Sequence, residues 1–128
     1  MKPIKLKIKT KLQNYQIIIG NNLVSNIFKL SKNNLVEFKK CLIVIDNNIS
    51  KRTVTKIKKS LNHKNTYIHF FKASEINKNI NNVNKILDIL LNKNFSRDDC
   101  LISVGGGITG DVSGFAASLF KRGLKFIN

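Results

Sequence analysis

From residue 41 to the end of the chain, short apolar runs alternate with longer stretches whose apolar residues recur at helical spacing. Residues 41–45 (CLIVI) are continuously apolar, which is typical of a strand buried on both faces. Further strands are predicted over residues 66–71, 101–104 and 124–127, with a helix before each of them. This alternation predicts an α/β fold, in which helices cover both faces of a mostly parallel, Rossmann-like sheet.

The N-terminal segment has a different pattern. Apolar residues alternate with lysines over residues 4–9, which predicts a half-exposed strand, and residues 15–19 predict a second strand beside it. A helix is expected next, with Asn21 or Asn22 as its cap. Because no repeat, linker or low-complexity tail divides the sequence, residues 1–128 are expected to form one domain, left incomplete by an end inside a strand.

The net charge of +16 raises the alternative of a nucleic-acid-binding protein. Only three arginines occur, and the lysines are scattered along the chain rather than gathered in a basic arm. Net charge reports on solubility and non-specific binding rather than on fold. We therefore expect a solvated basic surface and no nucleic-acid partner.

Two cysteines, Cys41 and Cys100, lie beside apolar runs and have no C-x-x-C partner, so buried reduced thiols are expected. The first ten residues lack the apolar segment of a signal peptide. No apolar run approaches the roughly 18 residues of a membrane span. The expected location is therefore the cytoplasm, without membrane association.

A glycine cluster follows the strand predicted over residues 101–104. Gly105, Gly106 and Gly107 lead to Gly110 and Asp111, and then to a helix, so that G-x-G-x-x-G is satisfied in strand–turn–helix context. Glycines let the backbone turn tightly and bring its N–H groups close to an anion, and a helix N-terminus adds positive partial charge. The pattern predicts a diphosphate site, although a purely structural turn could also use three glycines.

An acidic partner for a nucleotide ribose must lie upstream. A conventional dinucleotide-binding domain has one about 20 residues after the glycines, but no Asp or Glu follows Asp111 here. Asp46, directly after the CLIVI run, is the best-placed candidate because ligands of open α/β sheets bind beyond the carboxyl ends of the strands. The alternative is an ordinary Asp in a strand-to-helix turn.

The segment GGGITGDVSGFAASLFKRGLKFI resembles the 3-dehydroquinate synthase signature, in which a GGG-x-x-GD turn leads to a GF-x-A helix and an RG pair. The resemblance implies an N-terminal NAD-binding domain of a sugar-phosphate cyclase. It also implies a lyase of the shikimate pathway, on the route to chorismate and the aromatic amino acids. Such an enzyme uses NAD to cyclise 3-deoxy-D-arabino-heptulosonate 7-phosphate to 3-dehydroquinate with loss of phosphate. A related cyclase and a non-catalytic nucleotide-binding relic remain alternatives.

The resemblance also implies roles for individual residues. Asp46 and Asn48 match a D-x-N turn on the adenosine side of NAD, and Asp111 matches the acid near the nicotinamide ribose. Glu75 and Lys78 match a G-E-x-x-K stretch, although Ser74 replaces its glycine. The pyrophosphate turn is matched by Gly105, Gly106 and Gly107.

Arg122 matches the arginine that binds the substrate phosphate, in the family across a homodimer interface. The family also binds zinc or cobalt through one Glu and two His of a C-terminal helical domain, and this domain is not in the sequence. His63 and His69 lie too early to match those ligands and are expected to be structural or solvated. The chain is therefore expected to hold no metal site and to be inactive by itself.

Overall fold

The computed structural model describes residues 2–33, 36–60 and 65–128. The chain divides into two compact units, Met1–Val36 with Arg52–Asn62 and Glu37–Lys51 with His63–Asn128. His63 lies outside the described residues, so its predicted structural role stays a prediction. Among the described residues, no helix has both the length and the apolar character that a bilayer span requires.

The first unit begins with an antiparallel hairpin of β1 (Ile4–Lys9) and β2 (Asn14–Ile19). Ile4 pairs with Ile19, so the alternating apolar residues of β1 share one face with Tyr15, Ile17 and Ile19 of β2, as the alternation predicts. Ile18 lies on the other face, opposite Lys5. This face is not buried within the chain, because Ile4 is 52% and Ile19 50% exposed. The strands are confirmed, but the expected burial of one face is not observed.

The rest of the first unit is helical. A short 3₁₀ segment, Leu23–Asn26, precedes α1 (Ile27–Asn33), and α2 spans Lys51–Ser60. Asn22 lies directly before the 3₁₀ segment with a φ of 55°, and its side chain forms no capping hydrogen bond. The predicted asparagine cap is therefore wrong at Asn22, where the backbone adopts the left-handed conformation that asparagine tolerates.

The second unit contains a four-stranded parallel sheet in the order β4-β3-β5-β6. Its strands are β3 (Cys41–Asp46), β4 (Thr66–Phe71), β5 (Cys100–Val104) and β6 (Lys125–Ile127). Two helices of this unit connect strands: α3 (Ile80–Asn92) precedes β5 and α4 (Gly107–Leu119) follows it. The predicted parallel sheet is confirmed, and the carboxyl ends of β3 and β5 lie side by side, with Ile45 opposite Val104.

The core of this unit lies between the sheet and the pair α3 and α4, which pack against each other. Leu42, Val44 and Leu101 from the strands share one cluster with residues of both helices. The helical members include Val83, Ile86, Leu90, Val112 and Ala116. The other face of β3 is buried as well, since Ile43 and Ile45 are both 0% exposed. Burial of this strand on both faces is therefore confirmed.

The two cysteines begin neighbouring strands and lie opposite each other in the parallel register. Cys41 and Cys100 are both free thiols and both buried, as predicted. Burial raises the pKa of each thiol above its usual value, because the thiolate would lose its hydration. Neither cysteine has the lowered pKa of a reactive thiol.

Candidate functional site

The glycine cluster lies where β5 ends and α4 begins, at the carboxyl edge of the sheet. Gly106 is the N-cap residue of α4, with φ −86° and ψ −168°, and no side chain caps the helix. The first intrahelical bond joins the Gly110 amide to the Gly106 carbonyl oxygen at 3.1 Å. The amides before Gly110 are the N–H groups that an α-helix leaves without an intrahelical acceptor, and the helix dipole makes this end partly positive.

Gly106 and Gly107 open the space in front of these amides. A β-carbon added to either residue would meet no other atom within 4 Å. Neither residue has a positive φ, so the tight glycine-only turn expected from the sequence is not what the structure contains. The fold itself does not require glycine at these two positions, and the missing side chains leave the helix N-terminus accessible.

Gly105 has a different role, because it is closely packed. A β-carbon on Gly105 would lie 2.8 Å from Thr109 Oγ1 and 3.0 Å from Asp46 Cβ. Real Cβ contacts essentially never approach to less than 3.0 Å. Glycine at this position therefore lets the end of β3, the end of β5 and the first turn of α4 meet, and it brings Asp46 to the turn as predicted.

Two further glycines of α4 pack against β6. A β-carbon on Gly110 would lie 2.9 Å from Asn128 Oδ1, and one on Gly114 would lie 3.2 Å from the ring of Phe126. The four-residue spacing places both glycines on one side of the helix. This packing role was not predicted from the sequence, although the G-x-x-x-G spacing within the predicted helix was a signal for it.

Asp46 organises the turn after β3. Its Oδ1 accepts a hydrogen bond of 2.9 Å from the Asn48 amide, and its carbonyl oxygen accepts one of 3.0 Å from the Ile49 amide. The ordinary turn role, which the sequence left as an alternative, is thus present. Asn48 is exposed beside it, so both residues of the predicted adenosine contact lie at the same sheet edge as the glycine turn.

The loop before α3 brings Lys78 to α4. Lys78 Nζ lies 2.8 Å from Asp111 Oδ2, and both side chains are partly exposed. The hydrogen bond to Asp111 and the charge of that carboxylate raise the pKa of Lys78 above its usual value. Ser74 has no positive φ, so serine fits this loop where the family pattern has glycine.

An open cleft of about 260 Å³ lies beside this ion pair, between α3 and α4. Lys78 and Asp111 contribute its charged groups, and its apolar lining comes from Ile80, Val83, Val112 and Phe115. Glu75 is exposed in the preceding loop and does not line the cleft. The structure therefore brings Lys78 and Asp111 together at the cleft. Glu75 lies in the same turn as Lys78, whose amide donates to the Glu75 carbonyl oxygen at 3.2 Å, but Glu75 does not line the cleft.

Arg122 lies at the opposite end of α4 from the glycine turn. It is exposed in a short turn, Phe120–Arg122, directly after the helix. The 13 residues of α4 separate it from the turn by about 20 Å at 1.5 Å per residue. The structure does not bring Arg122 together with the other predicted site residues of the same chain.

Within the described ranges, no three His, Cys, Asp or Glu side chains lie close enough together to hold a metal ion. His69 lies in the middle of β4, opposite Val44. Burial and the nearby charge of Lys85 lower its pKa below the usual value. His69 is a half-buried strand residue, which agrees with the structural role predicted for it.

Residues 68–128 match the family described as 3-dehydroquinate synthase N-terminal. The chain is 59% identical over 125 residues to the 3-dehydroquinate synthase of Pelagibacter ubique (strain HTCC1062), a match covering 98% of this chain and 34% of that protein. The chain is homologous to the N-terminal part of 3-dehydroquinate synthase. It spans about a third of the length of the curated relatives it matches.

A more distant 3-dehydroquinate synthase, from Streptococcus thermophilus (strain ATCC BAA-491 / LMD-9), is 32% identical over 97% of the chain and 35% of its own length. Among solved structures, 2-deoxy-scyllo-inosose synthase has a TM-score of 0.80 at 20% identity, covering 96% of this chain and 35% of that one. The 2-epi-5-epi-valiolone synthase ValA from Streptomyces hygroscopicus has a TM-score of 0.72 at 23% identity, covering 93% and 33%. The predicted α/β fold with a mostly parallel sheet is thus confirmed.

Proposed function

We propose that residues 1–128 are an incomplete NAD-binding domain of a cytoplasmic 3-dehydroquinate synthase. The complete enzyme would convert 3-deoxy-D-arabino-heptulosonate 7-phosphate to 3-dehydroquinate with loss of phosphate, in the shikimate pathway. The observation that carries the proposal is the uncapped N-terminus of α4, with open space beside Gly106 and Gly107. The 59% identity to a 3-dehydroquinate synthase favours this activity over that of the cyclases that are 20–23% identical.

The shape and charge of the turn suit a diphosphate. Anions bind at helix N-termini because several N–H groups and the positive end of the dipole point at them. Two residues without side chains allow the phosphate oxygens to approach these N–H groups directly. NAD bound there would supply transient oxidation of a substrate hydroxyl, and a solved structure of 2-deoxy-scyllo-inosose synthase is a complex with carbaglucose-6-phosphate, NAD⁺ and Co²⁺.

The polar groups around the turn suit the two ends of a dinucleotide. Asp46 and Asn48 lie next to Gly105, where a carboxylate could accept hydrogen bonds from the adenosine ribose. The Asn48 amide holds one carboxylate oxygen of Asp46, which fixes the orientation of that group. Lys78 and Asp111 offer a donor and an acceptor beside the N-terminal half of α4, on the side we assign to the nicotinamide ribose. Glu75 would complete that side from the exposed loop.

Arg122 is assigned to the phosphate of the substrate, since a guanidinium group pairs well with phosphate oxygens. Arg122 lies about 20 Å from the glycine turn of its own chain. This distance favours binding of the substrate phosphate in the active site of a second copy of the chain, and therefore a homodimer. The divalent metal, zinc or cobalt, would be held by residues beyond these 128. The isolated chain would consequently bind part of the cofactor and catalyse nothing.

A fusion protein tests the proposal. Residues 1–128 would replace the matching segment of the Pelagibacter ubique enzyme, and phosphate release would be measured with NAD, zinc and the sugar-acid phosphate. We expect turnover by the fusion protein, none by the 128-residue chain, and none by the fusion protein carrying Gly106→Val. A folded fusion protein without activity would indicate a non-catalytic relic, and turnover by the short chain would show that the site assignment is wrong.

A further inference from the structure

The turn that follows α4 has an unusual backbone. Lys121, Arg122 and Gly123 have φ values of 44°, 66° and 116°, all in the left-handed region. The Gly123 amide donates to the Phe120 carbonyl oxygen at 2.8 Å, which closes a four-residue turn. Positive φ at both central positions is the pattern of a type I′ turn, which selects Asn and Gly. Here both central residues carry long side chains, so the conformation is strained unless other contacts hold it.

Lys121 makes one such contact. Its ammonium group donates a hydrogen bond of 2.8 Å to the Phe95 carbonyl oxygen and lies 5.4 Å from the centre of the Phe120 ring. On the other side of the turn, the Leu124 amide donates to the Ala117 carbonyl oxygen at 2.8 Å. The turn is therefore fixed at its first central residue and at its exit.

The Phe95 carbonyl group that accepts the bond from Lys121 lies at a well-packed helix end. Phe95 is 1% exposed and ends α3 in a Schellman motif, with its amide bonded to Leu90 at 3.0 Å and that of Asn94 to Leu91 at 3.0 Å. Carbonyl groups at a helix C-terminus attract cations. The turn is thus anchored to a buried and hydrogen-bonded part of the core.

A second lysine uses the neighbouring carbonyl groups. Lys40 Nζ donates to the carbonyl oxygens of Lys93 at 2.7 Å and Asn94 at 3.0 Å. The end of α3 therefore binds two ammonium groups, one at residues 93 and 94 and the other at Phe95. Lys121 is the one that connects this anchor to the turn after α4.

Arg122, in contrast, is exposed and takes part in none of the hydrogen bonds or ion pairs found among the described residues. We infer that Lys121 is a positioning residue, whose bond to Phe95 holds the left-handed turn and thereby presents the Arg122 guanidinium group to an anionic phosphate ligand. The inference rests on the role proposed above for Arg122. Strain at two consecutive residues that carry side chains fits a functional rather than a structural turn.

The test uses the 128-residue chain and inorganic phosphate as the probe, followed by NMR. Short intraresidue distances between the amide proton and Hα report positive φ at residues 121 and 122, and the Arg122 Nε–H signal reports phosphate binding. Lys121→Met removes the anchor and one charge, whereas Lys72→Met removes one charge from an exposed lysine elsewhere. Lys121→Gly also removes the charge, but glycine adopts positive φ without strain.

We expect Lys121→Met to lose the left-handed signature and to weaken phosphate binding at Arg122 about fivefold, the effect of one ordinary hydrogen bond. Lys72→Met should leave both unchanged, and Lys121→Gly should retain more affinity than Lys121→Met. Equal losses in the two Lys121 variants would mean that the lysine contributes charge rather than geometry, and would overturn the inference. An unchanged turn in Lys121→Met would overturn it as well.

A failure of the phosphate role proposed for Arg122 can be distinguished from a failure of the positioning role inferred for Lys121. If the Arg122 signal of the unchanged chain does not respond to phosphate, Arg122 has no phosphate role. In that case, loss of the left-handed signature in Lys121→Met would still show that Lys121 fixes the turn.

Discussion

Lys78 Nζ lies 2.8 Å from Asp111 Oδ2, so the loop before α3 is tied to the N-terminal half of α4. Sequence resemblance assigns both residues to the cofactor, and the structure shows them bound to each other at the edge of an apolar cleft. Because both side chains are largely exposed, water screens the pair and its effect on folding should be small. Its position suits ligand binding better than stabilisation.

Changes at this pair should therefore affect binding more than folding. We expect Lys78→Met and Asp111→Asn to leave the melting temperature almost unchanged and to weaken NAD binding, because the first removes an ammonium donor and the second a negative charge beside the proposed nicotinamide ribose. Thermal unfolding and calorimetric titration measure the two effects. A large fall in melting temperature with unchanged NAD affinity would show that the pair is structural.

Gly105 and Gly107 should respond differently to alanine. Gly105→Ala places a methyl group 2.8 Å from Thr109 Oγ1 and 3.0 Å from Asp46 Cβ, which should cost about 1–3 kcal/mol of unfolding free energy. Gly107→Ala meets no atom within 4 Å and should be neutral or stabilising by up to about 1 kcal/mol. Denaturant unfolding compares them, and equal losses would contradict the packing described for Gly105.

The pH dependence of stability should contain a contribution from His69. Its pKa is lowered in the folded chain by burial and by Lys85, whereas an unfolded histidine titrates near 6.5. As the pH falls below about 6.5, the unfolded chain binds a proton that the folded chain does not, so stability decreases until the folded pKa is reached.

The control for this effect is His69→Gln, which keeps a polar side chain and removes the titration. Urea unfolding at about pH 7.5 and about pH 5.5 brackets the unfolded pKa. We expect the unchanged chain to lose more stability over this interval than His69→Gln does. The same loss in both proteins would rule out His69 as its source.

Much of the second unit could be predicted because its signals are local. A continuous apolar run such as residues 41–45 is typical of burial on both faces, and four predicted strands separated by helical stretches leave few alternatives to a parallel sheet. The exposed face of the β1–β2 hairpin could not be predicted. The alternation in a strand shows which face is apolar, and what covers that face depends on tertiary or quaternary structure.

The position of the candidate site was predicted from the sequence, but the roles of its residues were predicted only in part. Gly105, Gly106 and Gly107 were identified together, yet Gly105 serves packing whereas the other two leave space open. The ion pair of Lys78 with Asp111 joins residues distant in sequence, and no periodicity reports such a contact. The left-handed backbone at Lys121 and Arg122 also escaped prediction, since neither residue type favours positive φ.

The most direct test of the central claim is a calorimetric titration of the chain with NAD, beside Gly106→Val. The valine side chain would project into the open space at the N-terminus of α4 without meeting any other residue within 4 Å of its β-carbon. The variant should therefore keep its fold, which thermal unfolding verifies, while its side chain blocks the approach of the diphosphate to the helix amides. We predict weak, saturable NAD binding by the unchanged chain and its loss in Gly106→Val at a similar melting temperature. Equal NAD affinity of the two folded proteins would contradict the account.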